Sequence, residues 1–103
     1  MRLSKTIIKL TEISNLLRVH KRYDFAAMIE NEIIGALQDE MIARDSKKLR
    51  EVYLSIFGGS GSITDLYLCA SNGDVSENFS ESNAKLNSLV KELSKCWEEE
   101  SAQ

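Results

Sequence analysis

The chain has 103 residues, which sets the scale at one domain with one core. With 43% apolar and 28% charged residues it has the balance of a folded globular protein, and no run approaches the ~20 apolar residues needed to cross a bilayer. The net charge of −3, well short of basic, argues against binding dominated by phosphate neutralisation.

The charge is blocked along the chain. Residues 1–22 hold six basic groups against Glu12, and residues 23–45 hold six acids against Arg44. Residues 46–60 are mildly basic, and the remainder carries eight acids against three lysines. Neighbouring helices of opposite sign attract each other, and an acidic surface suits a basic partner. Proline is absent, so no helix is interrupted by a missing backbone donor.

In chain order, Leu3, Ile7, Leu10, Ile13 or Ser14, and Leu17 share one stripe, predicting an amphipathic helix over about 4–20 with Ser4 as its N-cap. Ile8, Leu16 and Val19 widen the stripe, enough for two neighbours. The alternating basic and apolar residues of 1–21 lack the apolar block and cleavage site of an export signal, so a cytoplasmic protein is expected.

A second helix is expected over about 25–43, capped by Asp24, with Ala26, Ile29, Ile33, Leu37 and Met41 inward. Gly35 in its middle suggests a close helix crossing. Asp45 or Ser46 opens a third helix with Leu49, Val52, Tyr53 and Ile56 on one face, closing at Gly58 or Gly59 in a left-handed conformation. Ser62 stands three residues before Asp65, the spacing of a capping box, so 63–70 reads as a short helix or a marginal strand. Ser71-Asn72-Gly73-Asp74 is a turn. A last helix starts near Asp74, with Glu77 at capping-box spacing, or at Ser80, and buries Phe79, Leu86, Leu89 or Val90, Leu93 and Trp97. Glu98-Glu99-Glu100 at its C-terminus oppose the helix dipole, so fraying is expected there and disorder over 101–103. The fold class is therefore all-α: one domain over 1–100, a bundle of four long helices plus one short element after the Gly-rich turn.

The inventory for chemistry is poor. Gly58, Gly59 and Gly61 are not followed by the lysine of a phosphate-binding P-loop, and no βαβ unit surrounds them. His20 is the only histidine, which leaves no pair for a di-metal bundle and no base with an orienting partner beside a nucleophile. Cys69 and Cys96 form no C-x-x-C and read as two reduced thiols. No enzyme activity, metal or cofactor is expected.

The run Phe57-Gly58-Gly59-Ser60-Gly61-Ser62-Ile63-Thr64-Asp65-Leu66 resembles a pattern, G-G-x-G-S-[FI]-x-D-[LIV], of small bacterial helical domains similar to immunity proteins of contact-dependent growth-inhibition and polymorphic toxin systems. Gly58, Gly59, Gly61, Ser62 and Asp65 carry the match, which covers about ten residues. The resemblance implies a helical binding protein that blocks a cognate toxin, expected to be a basic nuclease. It supplies no catalytic residues. Candidate partner-binding acids are Glu30, Glu32, Asp39 and Glu40 in the second block and Asp65, Asp74, Glu77 and Glu81 in the fourth. No direct nucleic-acid or membrane contact is expected. A homodimer, or a homo-oligomeric regulatory scaffold using the wide stripes of the first two helices, is the rival expectation.

Overall fold

A computed structural model describes residues 3–58, 63 and 79–101. The chain is all-α, and no strand occurs among the described residues. Helix α1 spans Ser4–Val19. A continuous helical run over 23–38 follows, made of α2 (Tyr23–Met28), a π-helical segment (Ile29–Ile34) and α3 (Gly35–Gln38). The one-turn α4 (Glu40–Ala43), α5 (Ser46–Phe57) and α6 (Phe79–Ser101) complete it. The four expected long helices are therefore present. The observed short helix is α4; of the expected short element over 63–70 only Ile63 is described, and the turn over 71–74 and Cys69 lie outside the described residues.

Helix α1 is the centre of the packing. It lies against α6 and, on its other side, against α2 and the π segment. The two expected neighbours are present, but of the three residues expected to widen the stripe only Leu16 is buried. Leu10, Ile13 and Leu17 are essentially sealed, as are Ile29, Ile56, Ile63, Leu86 and Leu93. Burying each such side chain contributes about 1.5–3 kcal/mol before conformational entropy is subtracted. Ile8 and Val19, at the margins of the stripe, face solvent. Helix α5 meets α6 through aromatic rings: Trp97 lies 5.7 Å from Tyr53 and 6.4 Å from Phe57, centroid to centroid, in tilted and edge-on arrangements.

The end of α1 explains how the chain turns without glycine. The Arg22 amide donates to the Leu17 carbonyl at 2.8 Å and the Lys21 amide to the Arg18 carbonyl at 3.0 Å. That is the double closure of a Schellman motif, and it requires a left-handed residue at its centre. Lys21 takes that role at φ 60°. An L-residue with a Cβ is strained there, so Lys21→Gly should raise stability by about 1 kcal/mol, read as a higher midpoint in urea unfolding at an unchanged slope.

The second helix departs from expectation in three ways. Its first residue follows Arg22, which makes no side-chain cap, so Asp24 sits in the first turn instead of before it. It widens into a π segment, keeping Ile29, Ile33 and Ile34 all buried. It stops at Gln38, because Asp39 turns extended (φ −83°, ψ 115°) and its carboxylate accepts from the Met41 and Ile42 amides. Asp39 is thus an N-cap, and Met41, expected on the inward stripe, ends up 82% exposed.

Among the described residues, no helix crosses tightly at Gly35. The nearest atom to a Cβ added there is the Glu30 carbonyl oxygen of its own helix, 3.9 Å away, an ordinary contact. Gly35 has standard helical dihedrals, so Gly35→Ala should stabilise by roughly 0.5–1 kcal/mol through the lower entropy of the unfolded chain, measurable as a rise in Tm.

At the start of α5, Asp45 is the N-cap, accepting from the Lys47 and Lys48 amides at 3.0 and 3.3 Å. At its end Gly58 closes the helix with φ −80°, and is not left-handed. Glycine is required there for another reason: a Cβ would collide with the Leu54 carbonyl, to which the Gly58 amide donates. Gly59, Gly61 and Ser62 lie outside the described residues.

The start of α1 and the end of α6 are joined by a carboxylate. Leu3, with no side chain able to cap, precedes α1, so Ser4 is the first helical residue and not the cap. Glu100 of α6 takes over: its carboxylate accepts from the Thr6 amide at 2.7 Å, the Thr6 hydroxyl at 2.8 Å and the Lys5 amide at 3.1 Å, with the Ser4 hydroxyl at 3.5 Å. Glu100 is only 9% exposed and Thr6 is fully buried. Burial alone would raise the carboxyl pKa, but the amides of Thr6 and Lys5 and the Thr6 hydroxyl outweigh it and hold the group below its ordinary value. The expected fraying over 98–100 does not occur, since α6 stays helical through Ser101. The unfavourable end of one helix dipole is offset by the favourable end of another. Ala102 and Gln103 lie outside the described residues.

Candidate functional site

The helical hairpin formed by the 23–38 run, α4 and α5 encloses a groove of about 330 Å³. Met28, Glu32, Ile33 and Ala36 form one wall, at helical spacing on the run that contains the π segment. Lys48, Glu51, Val52 and Ser55 form the other on α5, and Ile42 of α4 contributes from the connection. The floor is apolar: Ile33 is buried, and Met28, Ala36, Ile42 and Val52 are half-buried. The rim is polar, since Glu32, Lys48, Glu51 and Ser55 are exposed. None of the described residues lining it is a histidine or a cysteine. Its volume falls at the low end of the ~300–1,000 Å³ typical of small-ligand sites.

The expected partner-binding acids separate by their surroundings. Glu30 faces α1, where the Arg18 guanidinium donates to both its oxygens at 2.9 and 2.6 Å. That hydrogen-bonded pair holds the Glu30 carboxyl below its ordinary value and the Arg18 guanidinium above its own. Glu30 therefore serves to fasten the π segment to α1. Asp39 is committed to capping α4. Glu32 stands on the groove rim, and Glu40 is exposed in the first turn of α4; neither makes an ion pair with another described residue. Glu81 is exposed in the first turn of α6, away from the groove lining. Asp65, Asp74 and Glu77 lie outside the described residues.

Sequence reasoning missed Glu51, which sits inside a locally basic block, and the apolar floor, of which Ile33 and Val52 read as core while Ala36 and Ile42 have no assigned role. His20 sits at the C-cap of α1 and is not among the groove-lining residues. Cys96 is half-buried on α6, and burial, with the nearby Glu100 and Glu99, raises its thiol pKa. Lys9 bridges Glu12 at 3.1 Å and Glu92 of α6 at 3.0 Å, contacts that raise its pKa, Glu92 foremost. Among the described residues, no three His, Cys, Asp or Glu side chains gather to hold a metal, and no helix is long and apolar enough to cross a membrane.

A family model described as a domain of unknown function (DUF6966) matches residues 32–77. That stretch includes every described groove residue except Met28, and contains neither α1 nor α6. No curated protein and no solved structure matches the chain.

Proposed function

We propose that this chain is an immunity protein of the cytoplasm that neutralises a cognate bacterial toxin by stoichiometric binding, without catalysis of its own. The observation that carries the reading is the open groove, apolar below and charged at its rim, presented on rigid helices. Such a surface suits the side chains of a protein partner: the floor supplies burial, and the rim supplies orientation and encounter rate. The Gly58–Leu66 run supports the same reading through its resemblance to immunity proteins. Glu32 and Glu40 are the exposed acids of the second block that neither cap a helix nor form an ion pair with another described residue, and they suit a basic toxin such as a nuclease.

The test is to mix the purified protein with the toxin encoded beside it. The expected result is a one-to-one complex with loss of toxin activity, and no complex at micromolar concentrations overturns the reading for that pair. A second reading is favoured by the exposed apolar residues Ile8, Val19 and Tyr23 on α1 and α2, which suit a homodimer or homo-oligomeric scaffold. Light scattering that gives the mass of one chain at every concentration ends it.

A further inference from the structure

If the groove binds a protein partner, as proposed above, its geometry points to a single occupant class: a long cationic side chain, arginine above all, projected by that partner. Three features select it. The chain turns back through α4, so Ala36, Ile42 and Lys48 lie toward the connected end and Met28 and Ser55 toward the open one. Glu32 and Glu51 are left between them on opposite walls, both exposed, and neither makes an ion pair with another described residue. The floor beneath, Met28, Ile33 and Val52, is apolar.

An arginine entering from the open end lays its methylene stem on that floor and its planar guanidinium between two carboxylates. A guanidinium suits the place better than an ammonium, since it is more weakly hydrated and offers donors on both edges. Lys48 works against the occupant. It lies toward the connected end, where it limits how deep a cation penetrates. An acidic or wholly apolar side chain would leave Glu32 and Glu51 uncompensated beside it, which disfavours both.

The experiment needs no partner. Amide spectra of the isotope-labelled protein are followed during titration with N-acetyl-arginine amide, and in parallel with N-acetyl-glutamate amide and N-acetyl-norleucine amide. The expected result is saturable shifts at Glu32, Ala36, Val52 and Ser55 with the arginine compound only. The double variant Glu32→Gln/Glu51→Gln should weaken that response about tenfold, the loss of two exposed charge pairs, and Lys48→Met should strengthen it. All three positions are exposed, and the wild-type titration decides the matter even if a variant fails to fold. Equal shifts with all three compounds, or none with arginine, overturn the inference. Where a toxin is in hand, full affinity of the double variant for it overturns the inference while leaving the binding reading standing. Absence of any complex removes the binding reading without altering the titration.

Discussion

Glu100→Ala should lower the unfolding temperature by about 10 °C, corresponding to roughly 2–3 kcal/mol for a domain of this size. The variant strips the N-terminus of α1 of its side-chain acceptor, leaving the Thr6 amide and hydroxyl at buried positions without their carboxylate. An ordinary cap replacement costs about 1 kcal/mol; the larger figure reflects a charged acceptor and several donors lost together. Glu100→Gln keeps the shape and loses the charge, so it should fall between.

The pH dependence follows from the direction of the shift. The Glu100 carboxyl lies below its ordinary 4.5 in the folded protein. Between the folded and unfolded values the unfolded chain holds more protons, so stability rises with pH there. The contribution of Glu100 is complete above about pH 4.5 and is lost as pH falls through the folded value. Chemical denaturation at several pH values should therefore show a gap between wild type and Glu100→Gln that is wide at about pH 7 and narrows below about pH 4. Glu30, which also lies low because of Arg18, acts in the same direction in both proteins and cancels from the comparison. A gap unchanged at about pH 3 would mean that the carboxylate charge is not what holds the helix end.

Leu37→Ala and Met41→Ala should differ sharply, although the two residues sit four apart on what reads as one helical stripe. Leu37 is 5% exposed in α3, and its truncation should cost about 2–4 kcal/mol. Met41 is 82% exposed in α4, and its truncation should stay within about 0.5 kcal/mol of wild type. Urea unfolding of the two variants side by side tests the break at Asp39 directly. Similar losses would mean that the helix runs on and buries both.

That pair also marks where the sequence stops being readable. The stripe of α1, the start of α5 at Asp45 and the end of α5 at Phe57–Gly58 are local properties, set by spacing and capping within a few residues. The break at Asp39 is local too, but ambiguous: Leu37 and Met41 keep helical spacing straight through it, and only the extended dihedrals reveal that Asp39 has become a cap. The turn after α1 is visible in outline, yet its left-handed residue is a lysine where glycine is the usual indicator. The Glu100 clasp is invisible in the sequence, since it joins residues 94 and 95 positions apart and a run of three acids at a helix end argues locally for fraying.

The candidate site is legible only in part. The acidic second block is evident from composition, but Glu30 faces Arg18, Asp39 faces its own backbone, and only Glu32 among the described acids expected to bind a partner lines the groove. Glu51 is hidden from any count of charge by sequence block, because the groove brings two differently charged blocks together across a hairpin.

The packing of α1 against α6 has a consequence for biosynthesis. The first helix depends on α6 for about half of its cover. While the polypeptide is being made, the face of α1 that packs on α6 waits for that helix, and only the side against α2 and the π segment is covered. The nascent chain therefore passes through a stage with a helical hairpin whose outer seam is greasy and open, the kind of species that chaperones bind and that aggregates when crowded.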